Sequence, residues 1–272
     1  MKKLKFIKMH GLGNDFVIID KREKNIILNQ KIINKLSDRR TGAGCDQIIT
    51  IEKSLLPKVE GKITIYNSNG DEAEACGNGT RCVAKILFSE SNKKNITLET
   101  VAGKLKASLK KNNNISVNMG AINEKWKKIP LSKKINNRNI EIDIANLSKG
   151  FALSIGNPHI VFFEKNINKL NLMDIGSKIE KHKFFPNKIN VEFIKIINKK
   201  KIQMRVWERG VGETFACGSG ACAAVFAGYK KNLINRNCEV VLKKGSLFIN
   251  IINNKVIMTG PAEVSYYGNV SI

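Results

Sequence analysis

The stretch EACGNGTRC fills residues 74–82, and a close copy of it, FACGSGAC, fills residues 215–222. Both contain Ala-Cys-Gly-x-Gly, and their cysteines, Cys76 and Cys217, stand 141 positions apart. Two further pairs of segments recur at nearly the same spacing: GLGNDFVII (11–19) matches SIGNPHIVF (154–162), and AGKLKASLKKNNNISVNMG (102–120) matches KGSLFINIINNKVIMTG (244–260). Landmarks that recur in the same order at a near-constant offset indicate an internal repeat.

The segments that follow the two cysteine motifs, TRCVAKILFSES (80–91) and ACAAVFAGYKKN (221–232), are apolar on nearly every face, which is typical of a buried helix. Short apolar runs around them, such as KITIY (62–66) and KIQMRV (201–206), predict strands. We therefore predict an α+β fold with two pseudo-symmetric domains, each a curled mixed β-sheet around a buried central helix. We assign residues 1–118 and 119–261 to these domains and expect residues 262–272 to pack on the first.

The composition is that of a globular protein, with 42% hydrophobic and 26% charged residues and no apolar run long enough to span a membrane. The basic start of the chain is not followed by the apolar region of a secretory signal, so we expect a cytoplasmic protein without a membrane partner. Six cysteines without a C-x-x-C pair, together with only three histidines, form no metal-binding pattern, and we predict no bound metal.

The net charge of +24 admits two interpretations. A basic surface can bind nucleic acid, and salt-dependent retention of DNA or RNA would support that interpretation. The lysines are scattered along the whole chain, however, and Asn and Ile are abundant throughout, as an AT-rich genome would encode them. We favour compositional drift and predict no nucleic-acid partner.

Each repeated cysteine stands at the predicted start of a buried helix. The free N–H groups of a first helical turn attract anions and favour a thiolate over a thiol, and they can also bind a carboxylate. Two thiols on opposite sides of one carbon are what a two-base racemase or epimerase requires, because one thiolate removes a proton and the other thiol returns one to the opposite face. Two alternatives stay open: both cysteines are structural, or they form a reversible redox disulfide.

Several motifs together resemble the diaminopimelate epimerase family. They are KMHGLGNDF, GAGCDQ, NGDEAEACGNGTRC, GNPHIV, WERGVGETFACGSGAC and a closing GPA, and they extend over almost the whole chain. The resemblance implies a cofactor-independent enzyme that interconverts LL-2,6-diaminopimelate and meso-diaminopimelate on the route to lysine and peptidoglycan. It also implies two pseudo-symmetric domains, neither pyridoxal phosphate nor a metal, and a homodimer.

The same resemblance assigns the site residues. Cys76 and Cys217 are implied as the catalytic acid–base pair, with His159 and Glu208 tuning their protonation. The residues implied to bind the substrate are Asn14, Gln47, Asn67, Gly77, Asn78, Asn157, Asn190, Glu208, Arg209, Gly218 and Ser219. The sequence leaves open which cysteine is the resting thiolate, and whether Cys45 is a third thiol near the cleft or a core residue.

Overall fold

Each half of the chain repeats one order of helices and strands in the computed structural model, which describes residues 3–24, 26–73 and 76–271. Residues 74–75, at the start of the first cysteine motif, lie outside the described residues. The chain divides into two units, of which one comprises Met1–Val117 and Gly260–Ile272 and the other Asn118–Thr259.

The first repeat consists of β1 (Lys3–Gly11), β2 (Asn14–Asp20), α1 (Gln30–Ser37), β3 (Gln47–Glu52), β4 (Gly61–Asn67), β5 (Glu72–Ala73), α2 (Gly77–Ser89), β6 (Asn95–Thr100), β7 (Gly103–Leu109) and β8 (Ile115–Ala121). The second consists of β9 (Phe151–Ser154), β10 (Pro158–Phe163), α3 (Leu172–Glu180), β11 (Asn190–Asn198), β12 (Lys201–Glu208), β13 (Gly212–Thr214), α4 (Gly218–Lys230), β14 (Asn237–Leu242), β15 (Gly245–Ile252) and β16 (Lys255–Gly260). A last strand, β17 (Glu263–Ser271), pairs antiparallel with β1.

The strand pairings repeat as well as the order. In the first repeat β2 and β3 run parallel with Phe16 opposite Gln47, and in the second β10 and β11 run parallel with His159 opposite Asn190. The other pairings correspond in the same way. The pairs β3–β4 and β11–β12 are both antiparallel, and the pairs β4–β6 and β12–β14 are both parallel. The predicted fold class, α+β with two domains of one topology, is confirmed.

The central helices begin earlier than the sequence predicts. α2 starts at Gly77 and α4 at Gly218, because Cys76 and Cys217 act as N-caps and the Gly-x-Gly segments already belong to the first helical turn. α2 packs against β1, β2 and β7, and α4 packs against β9, β10, β11, β14 and β15. Both helices are buried along most of their length, which explains their apolar composition.

α2 also holds the end of the chain. Arg81 is fully buried, and its Nε donates to the Pro261 carbonyl at 3.1 Å. One turn later, Lys85 Nζ donates to the Ala262 carbonyl at 2.6 Å. These charge-assisted hydrogen bonds satisfy main-chain carbonyls at the point where the returning chain enters β17.

The outer helices cover the other face of each sheet. α1 lies on β3 over an apolar cluster that includes Leu36, Cys45 and Ile48. α3 lies on β11, β12 and β13, where Gly176 permits close contact, because a Cβ at this position would come within 2.7 Å of the Trp207 ring. Cys45 belongs to the apolar cluster under α1 and is 3% exposed, so it is a core residue of its unit.

Candidate active site

The N-terminal half-site is built around the start of α2. Cys76 is half-buried, and its sulfur accepts a hydrogen bond from the Gly79 N–H at 3.4 Å. Asn14, at the start of β2, lies next to it: its Oδ1 accepts from Asn78 Nδ2 at 3.1 Å and from the Cys76 thiol at 3.8 Å. The structure thus brings together the predicted residues Asn14, Cys76, Gly77 and Asn78.

The orientation of the Asn14 amide is fixed from behind. Asn14 Nδ2 donates to Asp46 Oδ2 at 2.9 Å, which leaves Oδ1 directed toward the Cys76 thiol. Asp46 in turn pairs with Arg39 at 2.6 Å. The sequence prediction did not include Asp46, although it stands in the GCDQ motif directly before Gln47.

A second pair of polar side chains lies at the neighbouring strand ends. Gln47 begins β3 and Asn67 ends β4, and the two stand opposite each other in the antiparallel register. Gln47 Nε2 donates to Asn67 Oδ1 at 2.9 Å, and both residues are half-buried. This pair is adjacent to Phe16 of β2 in the sheet, one strand from the Asn14 group.

Asp15 anchors the loop that carries Asp46. Its carboxylate pairs with Lys8 Nζ at 2.6 Å and Arg39 Nη2 at 2.7 Å, and it accepts from the Asp46 N–H at 3.0 Å. Burial by itself raises the pKa of Asp15, but the hydrogen bonds and charges of Arg39 and Lys8 outweigh it and lower this pKa to about 2 from its ordinary value of 3.8.

Asp15→Asn is therefore expected to lower the free energy of unfolding at pH 7 by about 1 kcal/mol. The effect is limited because the ion pairs of Asp15 with Lys8 and Arg39 are partly exposed to solvent. Because the folded-state pKa lies below the unfolded one, the stabilisation is present above about pH 4 and is lost as the pH falls through about 2. Urea unfolding at pH 7 and near pH 2 measures the stability difference between the variant and the wild type and its loss at low pH. Glu23→Gln, at a side chain that is 80% exposed, is the control. A deficit in Asp15→Asn that is as large near pH 2 as at pH 7 would contradict the assignment.

The C-terminal half-site is built around the start of α4. Cys217 is 4% exposed, and its sulfur accepts from the Gly220 N–H at 3.4 Å. The Ser219 hydroxyl lies 3.4 Å from the same sulfur. Glu208, the last residue of β12, accepts a hydrogen bond from the Thr214 hydroxyl, and an interaction with the Cys217 thiol lowers the pKa of its carboxyl group in partial opposition to burial. The Glu208 carboxyl group and the Cys217 thiol thus influence each other's protonation.

His159 reaches this group through Asn157. His159 Nε2 is 2.9 Å from Asn157 Oδ1, and Asn157 Nδ2 donates to the Ser219 hydroxyl at 3.3 Å. The other ring nitrogen, Nδ1, is 2.7 Å from Glu192 Oε1, in a pair that is fully buried. The sequence prediction missed Glu192, although it stands two positions after Asn190 in NVEF.

Asn190 connects two loops beside the site. It is 4% exposed, its Nδ2 donates to the Pro158 carbonyl at 2.8 Å, and its Oδ1 accepts from the Arg209 N–H at 2.9 Å. The Arg209 guanidinium is exposed and donates to the Asn187 carbonyl at 3.4 Å. Asn190 therefore positions the main chain of the ERG turn, and the Arg209 side chain lies at the edge of the half-site.

The surroundings of Cys217 favour a thiol over a thiolate. Burial raises the pKa of Cys217 well above its ordinary value, and the charges of Glu208 and Glu192 raise it further. The Ser219 hydroxyl and the Gly220 N–H act in the opposite direction, with smaller effect. Burial also raises the pKa of Glu208 above its ordinary range. Cys217 thus carries its proton at neutral pH.

Within residues 3–24, 26–73 and 76–271, no group of three or more His, Cys, Asp or Glu side chains has the arrangement of a metal site. Over the same ranges, no helix has both the length and the apolar character needed to cross a membrane.

Solved structures share this fold at low sequence identity. A phenazine biosynthesis protein of the PhzF family from Bacillus anthracis aligns over 100% of both chains with a TM-score of 0.71 and 17% identity. A probable proline racemase from Agrobacterium radiobacter aligns over 99% of this chain and 93% of its own with a TM-score of 0.71 and 13% identity. At such identities the likeness establishes the class of fold, an α+β fold of two repeated domains.

Sequence comparison goes further. The sequence profile of diaminopimelate epimerase matches residues 6–124 and 151–265. The diaminopimelate epimerase of Pelagibacter ubique is 42% identical over 99% of this chain and 98% of its own length, and that of Carboxydothermus hydrogenoformans is 42% identical over 97% and 98%. The chain belongs to the diaminopimelate epimerase family, whose members are isomerases. Nothing in these comparisons supports the thiol redox alternative.

Proposed function

We propose that the chain interconverts LL-2,6-diaminopimelate and meso-diaminopimelate by proton transfer between two thiols. The observation that carries the proposal is the repeated cap: each central helix begins at a cysteine whose sulfur accepts a main-chain N–H, and the two cysteines occupy equivalent positions of the repeat. The full-length similarity to proteins named diaminopimelate epimerase supports the choice of substrate. The product would serve lysine and peptidoglycan synthesis.

In the proposed reaction, one thiol from each repeat acts on the same α-carbon of the substrate. Cys76, as the thiolate, removes the α-proton, so that an S–H bond forms as the C–H bond breaks. Cys217, as the thiol, delivers its proton to the opposite face, and the new C–H bond forms as its S–H bond breaks. The roles exchange in the reverse direction. The buried state of Cys217 and its contact with Glu208 support this assignment of the resting thiol.

The negative charge that develops on the reacting carboxylate needs stabilisation. We assign this role to the N–H groups of the first turns of α2 and α4, at Gly77, Asn78, Gly218 and Ser219, because preorganised donors at a helix N-terminus stabilise developing charge most strongly away from water. Asn14, Gln47, Asn67 and Asn157 would bind the amino and carboxyl groups of the substrate. Arg209, with its exposed guanidinium, would form a bidentate pair with the distal carboxylate.

Solvent labelling tests the proposal. Incubation of the protein with LL-diaminopimelate in deuterated water is expected to give meso-diaminopimelate that carries deuterium at the inverted α-carbon, because each turnover delivers a proton from a thiol that exchanges with solvent. Proton NMR and mass spectrometry measure the label. If no deuterium enters the α-carbon, the substrate assignment is wrong. L-Lysine, which lacks the distal carboxylate, is the control amino acid and is expected to remain unlabelled.

We further propose that the protein acts in the cytoplasm as a homodimer. Cys45, Cys82, Cys217 and Cys238 are free thiols, as a reducing compartment allows. Tyr266 and Tyr267 on β17 are 45% and 73% exposed and offer an aromatic contact surface. Light scattering would then give twice the chain mass of 30.4 kDa, and a monomer mass at micromolar concentration would contradict the dimer.

A further inference from the structure

Glu192 is a buried carboxyl group directly behind the first turn of α4. It lies on β11 and is 0% exposed. Its Oε1 approaches the helix so closely that a Cβ on Gly220 would come within 2.7 Å of it. Its Oε2 finds no hydrogen-bond partner within residues 3–24, 26–73 and 76–271. A buried carboxyl oxygen without a donor is unfavourable for folding, which points to a role for Glu192 beyond packing.

The other repeat shows that the fold does not need this carboxyl group. The register of β2 with β3 and of β10 with β11 makes Phe16 equivalent to His159 and Ile49 equivalent to Glu192. A Cβ on Gly79 would come within 2.5 Å of Ile49 and 3.4 Å of Phe16, so these two side chains occupy the same place behind α2. Behind Cys76 the pair is apolar, and only behind Cys217 is it a carboxyl group and an imidazole.

The polar pair is connected to the Cys217 sulfur by a directed series of hydrogen bonds. His159 donates from Nε2 to Asn157 Oδ1, because the Asn157 amide donates from its own nitrogen to Ser219. The Ser219 hydroxyl is therefore left to donate to the sulfur, 3.4 Å away. His159 Nδ1 lies 2.7 Å from Glu192 Oε1, so the series of contacts begins at the buried carboxyl group.

Among the described residues, the charged groups that act on Cys217 come from two strands. Glu208 on β12 and Glu192 on β11 both disfavour its thiolate, and the effect of Glu192 exceeds the opposing effect of the Ser219 hydroxyl. His159 on β10 acts on Glu208. The first turn of α4 carries no acidic residue.

We propose that Glu192, held by His159 behind the first turn of α4, is a positioning residue that acts together with burial and Glu208 to keep Cys217 protonated at rest, and that it thereby helps to make the two cysteines unequal. This role of Glu192 rests on the proposed function, because it matters only if the two cysteines act as an acid–base pair. In a two-base reaction one sulfur must start with its proton and the other without it, and a carboxyl group behind only one of two equivalent helices provides that difference.

Alkylation by iodoacetamide tests the proposal without any substrate, so its outcome is independent of the epimerase assay. At pH 8 the rate at each cysteine is followed by mass spectrometry of the proteolytic peptides. In Glu192→Gln, alkylation of Cys217 is expected to be roughly three- to tenfold faster than in the wild type, because removing one like charge increases the thiolate fraction by about that factor. Alkylation of Cys76 in the same sample is expected to be unchanged.

Two control variants separate charge from access. Glu192→Asp keeps the carboxyl group but shortens the side chain, so it loosens the packing without removing the charge, and it should leave the Cys217 rate within about twofold of the wild type. Glu164→Gln makes the same substitution elsewhere in the unit, where the carboxyl group binds the Ser148 N–H, and should also leave the rate unchanged. An unchanged rate in Glu192→Gln, or an equal increase in Glu192→Asp, would overturn the proposal.

Discussion

Cys76→Ser and Cys217→Ser are each expected to reduce epimerisation of LL-diaminopimelate at least about 1000-fold. A serine hydroxyl in place of either thiol has a pKa far above neutral, so it neither holds the negative charge needed to remove a proton nor releases a proton at the required rate. Because each turnover uses both sulfurs, either single change is sufficient. Formation of meso-diaminopimelate, followed by chiral chromatography, measures the loss.

The cysteine substitutions need a demonstration that the fold persists. Serine retains an oxygen that can accept the N–H of Gly79 or Gly220, so each helix keeps its cap, and thermal unfolding should shift by only a few degrees. Cys45→Ser, at a buried thiol that lies 3.8 Å from the Ser37 hydroxyl, is the matched thiol control and should remain active. If either Cys76→Ser or Cys217→Ser kept near-full turnover, that cysteine would be structural.

Glu208→Gln is expected to lower kcat about 100- to 1000-fold, the usual range for the loss of a positioned acid–base group. The glutamine side chain would have the same shape and could still bind the Thr214 hydroxyl, but an amide oxygen cannot take up the proton of the Cys217 thiol. Initial rates from pH 6 to pH 9 measure the effect. Because the pKa of Glu208 is raised, the wild-type rate is expected to change as Glu208 ionises, at a pH above the ordinary range of a glutamate. The variant is expected to show no such change.

The neighbouring glutamate supplies the control. Glu213 is exposed and pairs with Arg205 at 2.9 Å on the outer side of the same hairpin. Glu213→Gln is expected to keep kcat within about twofold, because a surface ion pair contributes little to stability and nothing to the proton transfer. Comparable losses of kcat in Glu208→Gln and Glu213→Gln would show that the rate responds to the loss of any charge on this hairpin. The assignment of a specific role to Glu208 would then be wrong.

The internal repeat could be predicted because duplication leaves landmarks at a fixed offset. The two Ala-Cys-Gly-x-Gly motifs and the two Gly-Asn pairs located both central helices and the strands that lead into the half-sites. The helix starts were predicted three residues too late. Considered without the rest of the fold, two glycines in five positions indicate a turn. In the structure, burial against the sheet allows Gly77 and Gly218 to begin the helices.

The supporting carboxyl groups could not be predicted by the same reasoning. Asp46 and Glu192 stand in strands or loops where a charged residue is usually solvated, and only the sheet registers bring Asp46 behind Asn14 and Glu192 behind α4. Comparison of the two repeats, position by position, would have pointed to Glu192, because its equivalent is Ile49 in an otherwise similar strand.

The central claim, that sulfurs from both halves act on one carbon, is tested most directly by a crystal structure with meso-diaminopimelate bound. We expect Cys76 Sγ and Cys217 Sγ on opposite faces of one α-carbon, each about 3–4 Å from it, as proton transfer requires. A bound substrate whose α-carbon contacts only one of the two sulfurs, with the other more than about 6 Å away, would contradict the account.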